Sequence, residues 1–413
     1  MLDINLIRTE TEKIKQSLLK RLPEGSFDLQ EIIKLDDRRR EIIQKNDELK
    51  AERNAQSKTK PTPEIIEQMR ELGSQIKELD DSISEVEKQL EEKLASLPNI
   101  VADDVIAGGK ENNKVLEVYG KKPEVDFELK DHVELATNLD IIDYERGVKM
   151  SGNGFWVYKG KGAILEWALL NYFIDFHRKN SYTFIIPPFL LTEQSAYTSG
   201  HLPKFRDDLY WNQDNLCLNA TSEMMLGNYH RDEIIAKEKL PLKYFAFSTC
   251  FRREAGSYRA EERGMIRGHQ FNKIEMFQFT EPQDSSQAFD ELLNNAAKLV
   301  EGLGLHFQTV LLAAGDASAA MAKTVDVEVW IPSMGIFKEV SSVSNALDYQ
   351  ARRGNIRYKN PETQKTEFVH TLNASGLATS RLFPAILEQN QRPDGTIVVP
   401  EALRPFCGFD ILD

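Results

Sequence analysis

The chain has 413 residues, 41% of them hydrophobic and 28% charged, with a formal net charge of −13. That length accommodates two or three domains around a large core, and the acidity excludes a nonspecific nucleic-acid coat while leaving room for a local basic patch. Cys217, Cys250 and Cys407 lack CxxC spacing and the seven histidines lack ligand spacing, which excludes a metal centre legible in sequence and predicts a reducing compartment. No apolar run reaches the roughly 18 residues of a membrane span, and no leader-like apolar segment stands at the N-terminus. The expectation is a cytoplasmic protein with no membrane partner. Neither G-x-x-x-x-G-K-[ST] nor G-x-G-x-x-G occurs, so a P-loop or Rossmann nucleotide site is not expected.

In chain order, short segments occupy residues 1 to about 27. Ile32, Leu35, Arg39, Ile42, Asn46, Leu49 and Arg53 then fall at alternating spacings of three and four, a heptad seam with polar members. Pro61 and Pro63 break the helix. A second seam runs from Ile65 through Met69, Leu72, Ile76, Leu79, Ile83, Val86, Leu90 and Leu94 to Leu97, and Pro98 ends it. Two heptad helices with a tight break predict an antiparallel helical hairpin, a projecting arm with no core of its own. The first seam is weakly basic and the second strongly acidic. Arg53, Lys58 and Lys60 stand near the tip. A charge-laced coiled coil is either a solvated or dimerising arm or a grip on an extended polyanion.

Residues 101–155 are loop-rich, with Gly108, Gly109, Gly120 and Pro123, and are expected to be a connector between the arm (1–100) and the main domain (156–413). Ala163, Leu165, Ala168, Leu169, Tyr172 and Phe173 mark a helix over Gly160–Lys179. Tyr182–Leu191 reads as a strand broken by Pro187 and Pro188, an edge or interface feature. A helix is expected over Ser286–Leu303, strands over Val325–Ile331 and Phe337–Ser344, and a glycine-containing turn from Asn373 followed by a helix over Leu377–Leu387. The mixed order of strands and helices after residue 160 predicts an α+β domain around an antiparallel sheet.

Phe245–Phe279 stands out. Phe245, Phe247, Thr249 and Phe251 alternate with Ala246, Ser248, Cys250 and Arg252, so large side chains take one face of a strand and small ones the other. Arg252 ends the small face with room to meet a ligand. A charged loop follows, then a second apolar run from His269 carries Glu275. An Arg and a Glu set among aromatics are either an ion pair holding a sheet or a binding site for an anion.

Three stretches resemble the signature motifs of class II aminoacyl-tRNA synthetases: the Pro187–Pro188 strand as motif 1, FRREAG at Phe251–Gly256 as motif 2, and NASGLATSR at Asn373–Arg381 as motif 3. TSE (Thr221–Glu223), HQFNKIEM (His269–Met276), DVEVW (Asp326–Trp330), EVSSVSN (Glu339–Asn345), QARR (Gln350–Arg353) and LRPF (Leu403–Phe406) narrow the resemblance to the bacterial-type seryl-tRNA synthetase family, in order along nearly the whole chain. The resemblance implies an antiparallel class II sheet flanked by helices, with an N-terminal coiled-coil arm that binds tRNA. It implies a homodimer that forms seryl-adenylate from ATP and L-serine with Mg²⁺, then transfers seryl to serine tRNA. Selenocysteine tRNA stays open as a second acceptor, and DNA is not an implied partner.

The resemblance also implies residue roles. Arg252 holds the α-phosphate and the serine carboxylate, and Arg381 holds the γ-phosphate. Arg253, Glu254, Glu339, Val340, Ser341 and Ser342 complete the ATP site, with Glu339 and Ser342 meeting Mg²⁺. Thr221, Ser222, Glu223, Arg252, Glu275 and Ser375 form the serine pocket, Glu223 facing the ammonium and Glu275 the hydroxyl. Arg39, Arg53, Lys58 and Lys60 serve the tRNA arm. The loop Ala255–Arg267 is expected to be mobile when empty and to order over ATP or the tRNA acceptor end. Fixed cations suit this chemistry, because charge grows on phosphoryl oxygens as two anions meet. Several positions depart from the family pattern: Ala374 replaces Gly, Ser222 replaces Ala, Val343 and Val325 are unusual, and Ala317–Ala320 replaces a glycine- and aromatic-rich stretch. Two alternatives follow, a paralogue with an altered serine pocket serving inhibitor tolerance or a biosynthetic pathway, and a non-catalytic tRNA-binding protein.

Overall fold

The computed structural model describes residues 1–58, 61–255 and 264–413, and the chain divides into two compact units, Met1–Ile100 and Val101–Asp413. Lys60, Gly256 and the centre of the Ala255–Arg267 loop lie outside the described residues.

The first unit contains α1 (Ile4–Thr9), α2 (Thr11–Leu19), α3 (Leu29–Gln56) and α4 (Pro63–Ser96). Asp28 caps α3 by accepting from the N–H groups of Gln30 and Glu31, and Thr62 caps α4 with Pro63 at its first turn. At 34 residues α4 is about 50 Å long. It pairs with α3 through Leu72, Ile76, Val86, Leu90 and Leu94, all buried. The polar seam positions make cross-helix contacts. Asn46 donates to Asp80 Oδ1 at 2.6 Å and Arg39 reaches Glu87 at 3.4 Å, while within α3 Arg39 also meets Asp36 at 3.1 Å. Asp36 is fully buried beneath three guanidinium groups, those of Arg8, Arg39 and Arg40. Arg39 is thus engaged within the arm. Arg53 is half-buried on the seam, and Lys58 is exposed.

The second unit is built on eight strands: β1 (Lys114–Tyr119), β2 (Thr183–Ile185), β3 (Leu242–Phe251), β4 (Gln270–Thr280), β5 (Phe307–Leu311), β6 (Lys323–Ile331), β7 (Ile336–Leu347) and β8 (His370–Ala378). They lie in the order β1-β5-β6-β7-β8-β4-β3-β2. Every pairing is antiparallel except β2 with β3, which is parallel. Three helices cover one face: α5 (Lys161–Lys179), α6 (Ser285–Gly302) and, after the short α7 (Tyr349–Arg353), α8 (Thr379–Gln389). Ile274 and Met276 on β4, Val327 and Val329 on β6 and Leu372 on β8 pack there against Leu169, Phe173, Leu299 and Phe383. Their alternate neighbours, including Lys273, Glu275, Asn373 and Ser375, therefore emerge on the opposite face. Among the described residues no helix is long and apolar enough to cross a membrane.

Two expectations are corrected. Residues 101–155 are not merely loop: β1 forms an edge of the main sheet, and helices form at His132–Asn138 and Tyr144–Ser151. The glycines that suggested a connector flank β1 and do not interrupt it. The glycine of NASGLATSR also does not make a turn. β8 continues to Ala378 and the helix begins at Thr379. Gly376 serves close packing: its carbonyl accepts from His177 Nε2 of α5 at 2.9 Å, and a Cβ on it would lie 2.3 Å from that nitrogen.

Glu166 of α5 links these layers. Its Oε1 accepts from Thr379 Oγ1 at 2.6 Å and from Asn272 Nδ2 at 2.8 Å, while Oε2 is buried and has no hydrogen-bond partner among the described residues. Burial pushes its carboxyl up to about 7 from an ordinary 4.5, against the pull of those hydrogen bonds. A folded-state value above the unfolded one means the contribution to stability is present at acid pH and is lost as pH rises through 7. Glu166→Gln should therefore stabilise the protein at pH 8.5 by up to about 3 kcal/mol, with the gain vanishing toward pH 4.5. Denaturant titrations across that range check this, and a gain independent of pH contradicts it.

Candidate active site

The uncovered face of the sheet opens into a cleft of about 440 Å³. Its floor comes from the alternation of the strands. Lys273 and Glu275 on β4, Ser342 and Ser344 on β7, and Asn373 and Ser375 on β8 all line it. Glu339 reaches the same face although it lies three residues before Ser342. The register between β6 and β7 slips at Val340, so Ser341 opposes Val327 while Glu339 opposes Glu328. That bulge reverses the side-chain parity and brings Glu339 and Ser342 together. The wall comes from Thr221 and Glu223 and from the turn Ser199–His201, and Ser318 and Met321 line it as well.

The small face of β3 does end at this cleft. Arg252 donates through its backbone N–H to the His269 carbonyl, and His269 Nδ1 lies 2.9 Å from the Arg252 carbonyl. Its guanidinium is 5.2 Å from the centre of the Phe271 ring, and Nε is 3.4 Å from the Ala220 carbonyl. Among the described residues no carboxylate pairs with Arg252. Glu275, the partner that the sequence offered, pairs with Lys273, and the nearby Glu254 pairs with Arg267. A cation on a cleft wall without a counter-ion is a ready anion site.

Opposite it lies a buried polar cluster. Lys273 Nζ is 2.5 Å from Glu275 Oε2 and donates to Thr221 Oγ1 at 2.6 Å. Glu275 accepts from Asn373 Nδ2 at 3.0 Å and from Ser375 Oγ at 3.3 Å. The Glu275–Ser375 contact is a direct cross-strand pair. Glu223 accepts from Gln350 Nε2 at 2.7 Å. Burial, reinforced by the Glu275 charge, pushes the Glu223 carboxyl up to about 7. His201 is pushed down to about 3 by burial and by the Arg252 and Lys273 charges, and is neutral. The cluster thus brings two carboxylates, Glu223 and Glu275, and two hydroxyls, Thr221 and Ser375, to the cleft.

The other end of the cleft runs past Val340 to Arg381, two residues into α8. Arg381 donates to the Glu339 carbonyl at 2.9 Å and to Glu339 Oε2 at 3.3 Å. Asp326, paired across the sheet with Ser342, is buried, and its Oδ1 has no hydrogen-bond partner among the described residues. Burial and then the Glu339 charge hold its carboxyl well above the usual range. Orphaned oxygen beside a second carboxylate and a hydroxyl is a hard donor set that fits a small divalent cation. Among the described residues no three His, Cys, Asp or Glu side chains converge on one point, so a ligand would have to supply further oxygens.

The structure therefore brings Thr221, Glu223, Arg252, Glu254, Glu275, Glu339, Ser342 and Ser375 to one cleft, with Val340 and Arg381 at its extension. Three expected residues are elsewhere. Ser222 is buried beneath the floor, donating to Ser248 Oγ at 2.7 Å. Ser341 points to the Ser375 carbonyl at 2.6 Å, on the parity opposite Ser342. Arg253 is exposed and donates to the Asp207 carbonyl at 3.1 Å. Sequence reasoning missed Lys273, Asn373, Gln350 and Asp326. Lys273 was findable, since it precedes Glu275 by two in a strand. Asp326 was masked by its place in an alternating apolar run, and nothing in sequence ties Gln350 to Glu223.

The chain also matches known proteins. Residues 1–101 match the family model described as the seryl-tRNA synthetase N-terminal domain, and residues 204–390 match the class II tRNA synthetase core domain of the G, H, P, S and T enzymes. The chain is 54% identical to serine–tRNA ligase 2 of Clostridium acetobutylicum and 47% identical to serine–tRNA ligase of Petrotoga mobilis, each over 100% of both chains. It superposes on the seryl-tRNA synthetase of Pyrococcus horikoshii, solved in complex with ATP, with a TM-score of 0.92 and 33% identity over 100% of this chain and 99% of the other.

Proposed function

This chain belongs to the seryl-tRNA synthetase family, and we propose that its cleft performs both steps of serine attachment with the residues named below. It is a serine–tRNA ligase that uses ATP. The observation that carries the assignment of residues is the pairing, in one cleft, of an Arg that meets no carboxylate among the described residues and a cluster of buried polar side chains.

In the first step a serine carboxylate oxygen attacks the α-phosphorus of ATP. A new P–O bond forms as the bond to the bridging oxygen breaks, and pyrophosphate leaves. Arg252 holds the serine carboxylate and the α-phosphate with its planar fork. Arg381 takes the γ-phosphate, and Glu254 the adenine side. Glu223 takes the serine ammonium, and Glu275, Thr221 and Ser375 take the hydroxyl. A site built to hydrogen-bond a hydroxyl rejects alanine, because its own polar groups would be left unpaired. In the second step the 3′-terminal ribose hydroxyl of the tRNA attacks the seryl carbonyl, loses its proton, and AMP leaves. Glu339, Ser342 and Asp326 would hold Mg²⁺ together with ATP oxygens, where the ion offsets the phosphate charge. Ser222 and Ser341 act from beneath the floor, through Ser248 and the Ser375 carbonyl, and Val340 through the bulge that aims Glu339. Arg253 is exposed and does not line the cleft. Arg53, Lys58 and Lys60 are the arm cations proposed to meet tRNA phosphates.

The active form is proposed to be a homodimer. Phe184 and Ile186 at the β2 edge and Ile164 and Trp167 on α5 are exposed apolar residues, Ile186 to 71% and Trp167 to 56%. A single-chain mass in sedimentation equilibrium would refute this. Cys217, Cys250 and Cys407 are buried and unpaired, which favours a cytoplasmic setting. The catalytic reading is tested by ATP–pyrophosphate exchange. Exchange should depend on serine, with alanine and threonine inactive at equal concentration. Exchange with no serine dependence would overturn it, and equal use of alanine would indicate an altered pocket.

A further inference from the structure

Gln350 lies on α7, 1% exposed, and every polar group of its amide is engaged. Nε2 is 2.9 Å from the Ser199 carbonyl oxygen and 2.7 Å from Glu223 Oε1, and Oε1 is 2.7 Å from Thr371 Oγ1. A backbone carbonyl and a carboxylate only accept, so the nitrogen must face them both. The Thr371 hydroxyl then donates to Oε1. Rotating the amide would set lone pairs against lone pairs at two buried contacts, so its orientation is fixed by chemistry. Among the described residues no other side chain donates to the Glu223 carboxylate. Through Ser199 the same amide also holds the turn whose next residues, Gly200 and His201, line the cleft.

We infer that Gln350 is a positioning residue for serine activation: it pins one oxygen of Glu223 and the Ser199 turn together, presenting the other Glu223 oxygen to the substrate ammonium. This rests on the reading that Glu223 is the ammonium acceptor. The charges facing Glu223 come from two strands, Glu275 and Lys273 on β4 and Arg252 at the end of β3. His201 on the adjoining turn is neutral. On α7 itself, Arg353 turns away to the Tyr197 and Leu202 carbonyls at 3.0 and 2.7 Å, and Arg352 turns to Asp348. The Gln350 donor is therefore an uncharged group that favours the ionised acid, and its removal raises the pH at which Glu223 ionises.

Gln350→Leu should raise the KM for serine in the exchange assay about tenfold or more while leaving the KM for ATP within about twofold. It should also move the acid limb of kcat/KM for serine to higher pH. Thr371→Val, which frees the amide without deleting it, should change the same quantities in the same direction by less, and it decides the matter if Gln350→Leu does not fold. Equal changes in both KM values, or an unmoved acid limb, overturn the inference. Glu223→Gln separates the two levels. If that variant leaves the serine KM unchanged, the ammonium reading fails. If it raises the serine KM and neither Gln350→Leu nor Thr371→Val does, the positioning role alone fails.

Discussion

Arg252→Ala is expected to lower serine-dependent ATP–pyrophosphate exchange by about three orders of magnitude, with little change in thermal stability. Both parts follow from its surroundings. The side chain makes no ion pair among the described residues, only a carbonyl contact at 3.4 Å and a ring contact at 5.2 Å, so its loss breaks no structural network. The main chain at this position stays fixed by the reciprocal bonds with His269, which truncation leaves in place. What goes is a preorganised double donor aimed at the point where carboxylate and phosphate meet. Arg252→Lys keeps the charge and loses the fork, and should fall between the two. Exchange within tenfold of wild type for Arg252→Ala would show that another group, with Lys273 the first candidate, performs this role.

The extent to which this site was legible in sequence depended on parity. Arg252 could be placed because β3 alternates cleanly and its small face is unmistakable. Glu275 and Ser375 were placed by motif, and strand parity accounts for both once the β4–β8 register is known. Glu339 with Ser342 could not be derived from alternation, since their spacing of three puts them on opposite faces until the bulge at Val340 intervenes. For the same reason alternation could not show that the Ser341 side chain turns to the Ser375 carbonyl. The arm was readable from heptads alone, but its polar seam positions were ambiguous. Arg39 stood in sequence as a basic residue for tRNA, whereas its charge meets Asp36 and Glu87. Gly376 suggested a turn because glycine is ambiguous without its neighbours. Only the position of His177 reveals that the requirement is for space. The long-range partners of Glu223 and Asp326 belong to the same class, because a buried polar contact is set by tertiary packing that no local pattern encodes.

Deleting residues 30–98 should abolish serine tRNA charging, by at least about 10³-fold, while serine-dependent exchange stays within a few-fold of wild type. The cleft is built wholly from the second unit, Val101–Asp413, so adenylate formation has what it needs without the arm. The arm is held by its own contacts: the apolar seam, the Asn46–Asp80 and Lys50–Asp80 bonds, and the buried Asp36 beneath its three arginines. Such a hairpin grips a nucleic acid helix by shape and backbone and not by base sequence. Raising salt should then weaken charging more steeply than exchange, because only the tRNA step releases counterions. Equal loss of both activities in the deletion would instead assign the arm a folding role. A finer cut is available at the tip. Reversing Arg53 and Lys58 to glutamate should reduce charging and flatten its salt slope without touching exchange, whereas Asp36→Ala should impair charging by leaving three guanidinium groups without their shared carboxylate. The first variant would report phosphate contact and the second the integrity of the arm, and a thermal melt separates them, since only Asp36→Ala should lower the midpoint.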